Sequence, residues 1–212
     1  MKLFIFLLTA LVLTFSQAAY SGEVLLRPHV KSITLTLGNQ TYVIQRNQDP
    51  TITITSLYTN TTVGKLQPIH LAPGVETIGE VEVLDYLQRM QTDDSIILID
   101  TRPKSWFDRI RIPGAVDVPP ATFENELTAT ETLEKLFNVK TNANGELDFS
   151  QAKTIVAYCN GHFCGYTPDA IKHADYSLLK LGYPPEKIKY YRGGMQAWTS
   201  VGLTVIGEEA FN

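Results

Sequence analysis

Apolar and polar positions alternate strictly in the early part of this chain. Lys31-Ser-Ile-Thr-Leu-Thr-Leu37 has period two, Gly38-Asn39 is a turn pair, and Thr41-Tyr-Val-Ile-Gln45 resumes the extended pattern. Together they predict a hairpin. After the Asp49-Pro50 break, Thr51-Ile-Thr-Ile-Thr55 alternates again. Residues from about 23 to 66 therefore read as a small β extension, and Pro68–Gly74 as a linker. The pattern then changes. Thr77-Ile-Gly-Glu80 resembles a capping box ahead of a helix over Val81–Met90, whose Val83, Leu84, Leu87 and Met90 fall on one side. Ile96-Ile-Leu-Ile99 and Thr154-Ile-Val-Ala-Tyr158 are continuous apolar runs suited to buried parallel strands. Between them, Ala129–Val139 reads as a helix. Thr167-Pro168-Asp169 has the N-cap, N1 proline and acidic first turn of another helix. That helix carries Ala170, Ile171, Ala174, Leu178 and Leu181 and stops at Gly182. Ile188–Tyr191 is a further strand, Gly193-Gly194 a turn, and Met195–Val201 a last helix. Alternating helices and strands predict an α/β layer sandwich with a central, mostly parallel sheet.

The first 18 residues have a different character. A short positive start is followed by a 13-residue apolar run, Leu3–Phe15, and by Ser16-Gln17-Ala18 with small residues at −3 and −1 of a cleavage site. This is the layout of a secretory signal peptide, and the run is short of the ~20 residues that span a bilayer. The alternative is an uncleaved N-terminal anchor. On either reading the remainder is expected to be exported, most simply to a bacterial periplasm, with no stable membrane span after cleavage. The expected organisation is thus 1–18 signal peptide, 19–75 β extension and linker, and 76–207 the main α/β domain. Asn39-Gln40-Thr41 and Asn60-Thr61-Thr62 match the glycosylation acceptor pattern, but such triplets are common by chance.

Composition narrows the chemistry. The 212 residues are 44% hydrophobic and 19% charged, which excludes a disordered chain. The net charge is −4 and basic runs are absent, so nucleic acid is not an expected partner. The two cysteines are too few for a disulfide scaffold. Both lie in Cys159-Asn160-Gly161-His162-Phe163-Cys164-Gly165, between an apolar strand and a helix start. A loop at the carboxyl end of a parallel strand can turn its amides inward as an anion cradle. That would stabilise a thiolate, so Cys159 is a candidate nucleophile. The alternative is a buried inert thiol. Cys164 could form a disulfide with Cys159, resolve an oxidised or persulfidated Cys159, or be a spectator. His162 could orient a substrate or be a solvated loop residue. Nothing has zinc-ligand spacing, so no metal is expected, and no phosphate-binding glycine loop is present. In Leu98-Ile-Asp-Thr-Arg102, Asp100 ends a strand and Arg102 follows two residues later. These two can pair and brace the neighbouring loop.

Three segments, taken in order, resemble the rhodanese family of sulfurtransferases. They are Asp100-Thr-Arg102 with Trp106-Phe107 and Ile112-Pro-Gly-Ala115; Ile155-Val-Ala-Tyr-Cys159; and Leu181-Gly-Tyr183 through Tyr191-Arg-Gly-Gly-Met-Gln-Ala-Trp198. The likeness covers about residues 76–207. It implies a rhodanese-like three-layer sandwich, a persulfide-forming Cys159, and loop amides of residues 160–165 that hold the transferred sulfur. It also implies a small sulfane-sulfur donor and a thiol or cyanide-like acceptor, a protein acceptor among them, with no cofactor. The sequence resembles most closely an exported subgroup with a Cys-Asn-Gly-x-x-Cys loop. It departs from the family pattern where Asn160 and Cys164 stand in place of basic loop residues, which weakens the case for thiosulfate as donor. It departs again where Ile110-Arg111 replaces the usual Gly-His, and the interval from Cys159 to Leu181 is longer than usual. Phosphatases that share the fold need a loop arginine, which this loop lacks. Two other readings stay open: a thiol–disulfide redox pair, and a non-catalytic module that binds a partner.

Overall fold

The two apolar runs form the middle of the molecule. The computed structural model describes residues 26, 29–47, 55–58 and 68–210. The leader-like segment 1–18, the alternating residues 51–54 and the triplet at 60–62 lie outside the described residues. The hairpin comes first, as β1 (Ser32–Leu37) and β2 (Gln40–Gln45), antiparallel with Ile33 opposite Ile44. The main unit follows as β3 (Glu76–Ile78), α1 (Glu80–Arg89), β4 (Ile96–Asp100), α2 (Lys104–Arg109) and β5 (Val116–Asp117). Next are α3 (Glu126–Lys135), a two-rung hairpin of β6 (Lys140–Thr141) and β7 (Leu147–Asp148), and β8 (Thr154–Tyr158). The chain continues as α4 (Tyr166–Pro168, widening to a π turn over Asp169–His173), β9 (Ile188–Tyr191) and α5 (Gly194–Ser200). Strands β3-β9-β8-β4-β5 make one sheet, and all its pairings are parallel.

All five residues of β4 are buried, and their alternation sorts them between two apolar layers. Ile96 and Leu98 face a layer that holds Leu84 and Leu87 of α1 and Met195 and Trp198 of α5. Ile97 and Ile99 face another, with Ala129 and Leu133 of α3 and Ala170 and Ile171 of the turn after α4. Helices on both faces and a sheet between them give the expected three-layer α/β sandwich. The hairpin belongs to the first layer: Ile33, Leu35 and Ile44 are buried in the same cluster as Leu84 and Trp198. Its far end is tied to the segment after α5, where Thr204 Oγ1 donates to the Val43 carbonyl at 3.1 Å and the Asn47 N–H donates to the Gly202 carbonyl at 2.8 Å.

Helix boundaries differ from the sequence expectation for local reasons. Thr77 is not a cap: it lies in β3, and its hydroxyl donates to the Ile69 carbonyl. The Glu82 carboxylate instead accepts the Gly79 N–H at 2.9 Å at the start of α1. Helix α3 starts earlier than expected because Asn125 Oδ1 accepts the Leu127 N–H at 2.9 Å. It ends earlier because Asn138 is left-handed, at φ 57°. The expected helix from Thr167 to Leu181 is the largest correction. Thr167 pairs its hydroxyl with Thr101 rather than capping, and regular helix ends at His173. Ala174 turns extended there, and the Tyr176 N–H is drawn to the Phe123 carbonyl at 3.1 Å.

A shared core has a measurable consequence. Ile44→Ala should cost about 2–5 kcal/mol. Denaturant unfolding followed by tryptophan fluorescence and by circular dichroism should still give one coincident transition, because the hairpin and the sheet share an apolar layer.

Candidate active site

The sheet delivers two adjacent strand ends, Asp100 of β4 and Tyr158 of β8, to the same level. The Thr101 N–H and hydroxyl both donate to the Tyr158 carbonyl, at 2.9 and 3.0 Å, and the hydroxyl lies 2.8 Å from that of Thr167. The chain is thus pinned on both sides of Cys159. From there residues 160–165 curl back, closed by the Cys164 N–H donating to the Gly161 carbonyl at 2.9 Å.

The outer side of the loop is closed by the start of α5. The Met195 N–H donates to the Cys159 carbonyl at 3.0 Å, and the Gln196 N–H to the Asn160 carbonyl at 2.8 Å. This approach is possible because residue 194 is glycine. Its φ is +55°, and a β-carbon there would stand 2.3 Å from the Cys159 carbonyl oxygen and 2.7 Å from the Gly161 nitrogen. The Gly-Gly turn read in the sequence is therefore a packing requirement of the cysteine loop.

Cys159 and Cys164 are both free and buried. The Cys159 side chain faces the loop. Its Sγ is 3.4 Å from the Cys164 carbonyl oxygen and 4.0 Å from that of Gly161, and the Cys164 sulfur is a third acceptor for its S–H. Burial pushes the Cys159 thiol well above its usual range, and donation to Cys164 adds to this, while hydrogen bonds from Thr167 oppose it. Cys164 moves the other way, down to about 7. The main cause is the hydrogen bond from Cys159; burial opposes, and backbone groups of Tyr166 and Asn160 add to the lowering, with Arg102 contributing at longer range. Within the buried pair Cys159 is the hydrogen-bond donor and Cys164 the acceptor, which makes Cys164 the more acidic of the two, with backbone groups of Tyr166 and Asn160 adding to the effect. Asn160, Gly161 and Cys164 are buried, and His162, Phe163 and Gly165 are half-buried. The His162 and Phe163 rings meet edge to face at 6.0 Å.

Beneath the loop, Asp100 and Arg102 form an ion pair with both side chains wholly buried. Arg102 Nε donates to Asp100 Oδ1 at 2.9 Å and Nη2 to Oδ2 at 2.7 Å. The Arg102 N–H also donates to Oδ1 at 3.0 Å, and Nη2 reaches the Ile110 carbonyl. A further contact was not legible in the sequence: Arg102 Nη1 donates to Tyr58 Oη at 2.9 Å, and Tyr58 Oη donates to Asn160 Oδ1 at 2.8 Å. Tyr58 is 102 residues from Asn160 along the chain, and no motif marks it. Among the described residues, no group of three or more His, Cys, Asp or Glu could hold a metal ion.

The strand-end cysteine loop, the Asp-x-Arg brace and the Gly-Gly turn define a class. The rhodanese-like domain model matches residues 83–201, more than half of the chain, and the protein belongs to that family. Its fold is the rhodanese-like α/β fold. An HTH-type transcriptional regulator of Mycobacterium tuberculosis is 28% identical over 119 residues, which cover 56% of this chain and 41% of the regulator. The chain thus spans about two-fifths of that relative's length. A Bacillus halodurans protein of solved structure is 21% identical with a TM-score of 0.45, over 64% of this chain and 79% of that one. The human single-domain sulfurtransferase is 21% identical with a TM-score of 0.40, over 59% and 96%. A thiosulfate sulfurtransferase from Pseudomonas aeruginosa is 16% identical with a TM-score of 0.41, over 63% and 20%.

Three variants test this geometry. Arg102→Met alone strands a buried carboxylate and should cost about 3–5 kcal/mol, whereas the paired Asp100→Leu/Arg102→Met change should cost far less in denaturant unfolding. Gly194→Ala should displace the cysteine loop, seen as altered alkylation rates of Cys159 and Cys164 in a protein that keeps its circular dichroism spectrum.

Proposed function

We propose that this protein transfers sulfane sulfur through a persulfide on Cys159. The observation that carries the reading is the hydrogen-bonded Cys159–Cys164 pair inside a curled loop at the end of the central strand. A buried thiol is a poor nucleophile until a base takes its proton. Cys164, near neutrality and in hydrogen-bond reach, is that base. As the Cys159 sulfur attacks the terminal sulfur of the donor, its proton passes to Cys164. A new S–S bond forms at Cys159, and the donor's own S–S bond breaks with its electron pair leaving on the remainder. For thiosulfate the remainder is sulfite. Loop amides stabilise the charge on the bound sulfur. A thiolate or cyanide acceptor then attacks the outer sulfur and leaves the Cys159 thiolate behind. Lacking Lys and Arg between 160 and 165, the loop suits a singly charged organic persulfide donor better than a dianion such as thiosulfate. The leader-like residues 1–18 support an exported setting for this chemistry.

The hydrogen bond from the Cys159 thiol to the Cys164 sulfur also supports a second reading, a thiol–disulfide pair. Intact-mass analysis separates the two. After exposure to polysulfide, sulfur transfer adds one sulfur atom at Cys159, and Cys159→Ala abolishes the gain; loss of two hydrogens with no gain supports the disulfide instead. Sulfur found on Cys164 would overturn the assignment of the nucleophile.

The pH dependence has a definite sign. The thiolate that accepts the proton disappears as pH falls through about 7. The rate of sulfur loading at pH 6 should be about a tenth of its plateau. Cys164→Ser removes the acceptor and leaves the buried Cys159 to ionise alone, so the midpoint should move up beyond the ordinary thiol range in stopped-flow loading assays.

A further inference from the structure

The segment ahead of the family-matched region reaches into the site at one point. Residues Ser56–Tyr58 form a short 3-10 turn, held by the Tyr58 N–H donating to the Thr55 carbonyl at 2.9 Å. The turn delivers Tyr58 into the core, 5% exposed, with its ring 6.1 Å from that of Trp106. Its hydroxyl is the middle of a directional chain. Arg102 has only donors, so the tyrosine oxygen must accept from Nη1, and the phenolic proton is left for Asn160 Oδ1. Arg102 is itself fixed by Asp100 and the Ile110 carbonyl. The orientation of the Asn160 carboxamide is thereby imposed from a strand end through a residue outside the matched domain. Asn160 is also gripped at its carbonyl by the Gln196 N–H.

We infer that Tyr58 is a positioning residue of the cysteine loop, setting the conformation of Asn160 through the hydrogen-bonded chain Asp100–Arg102–Tyr58–Asn160. Tyr58, which precedes the family-matched residues, on this account supplies part of the site. The inference deepens the sulfur-transfer reading and rests on it only for what the loop is used for. The link to chemistry is short. The Asn160 backbone is one of the groups that stabilise the Cys164 thiolate, so a displaced Asn160 weakens that support. Burial holds Tyr58 far above its usual ionisation range, so it remains a proton donor throughout the working pH range.

Tyr58→Phe removes the hydroxyl and keeps the ring against Trp106. The readout is the pH profile of iodoacetamide alkylation at Cys164, followed by peptide mass, together with kcat and KM for sulfur transfer. The expected result is a midpoint shifted up by about one unit, an about five-fold slower reaction at pH 7, and rates that converge with wild type in alkaline solution. Loss of kcat should exceed any change in KM. Asn160→Ala should give the same shift, and the double variant should be no slower than the worse single variant, since both cut one chain. A Tyr58→Phe protein that reacts like wild type, or effects that simply multiply, overturns the inference. Should Tyr58→Phe fail to fold, Asn160→Ala decides alone: an unshifted Cys164 profile overturns it. A wild-type protein that never gains sulfur removes the transfer reading, yet the alkylation profiles still judge Tyr58.

Discussion

The buried pair of Asp100 and Arg102 is the constraint from which the site is built. Two opposite charges lie where no water reaches them, so every remaining donor and acceptor must be met by protein. The carboxylate is met at both oxygens by the arginine side chain and backbone. The guanidinium spends its other donors on the Ile110 carbonyl after α2 and on the Tyr58 hydroxyl. One side chain thereby joins the end of a central strand, a neighbouring helix and the preceding segment. An apolar pair of similar size could fill the space, but it could not direct a proton toward Asn160.

What stands on that base is a short loop gripped from two sides. Thr101 and Thr167 hold its start and its exit, and α5 reaches across to two of its carbonyls. The grip commits the carbonyls of Cys159, Asn160 and Gly161, and the two sulfurs lie within the loop so held. Their reactivity is accordingly a property of the pair. Cys159 is buried too deeply to ionise easily, and Cys164 ionises more readily because its thiolate accepts a hydrogen bond from the Cys159 thiol. A single cysteine in the same loop would be a different chemical group.

Much of this was legible from the residue order. Ile96–Ile99 and Thr154–Tyr158 are apolar without interruption, and a strand covered on both faces is the only economical home for them. The two-residue spacing of Asp100 and Arg102 and the Gly193-Gly194 doublet also announced their roles. Boundaries were less readable wherever tertiary contacts compete for a backbone group. Thr167 looks like a cap until Thr101 takes its hydroxyl, and the following helix looks long until Phe123 takes the Tyr176 amide. Tyr58 was invisible because its meaning lies 44 residues from Arg102 and 102 from Asn160. The ionisation order of the cysteines was likewise hidden, since it depends on which sulfur donates and which accepts the hydrogen bond between them.

The sheet's outer strands have a consequence of their own. Central β4 and β8 run for five residues each, but the flanking β3 has three and β5 only two. A parallel sheet with long open margins would offer a template for recruiting foreign strands. Here the margins are too short to seat one, so the apolar central strands β4 and β8 are kept from intermolecular β-association by geometry rather than by charge.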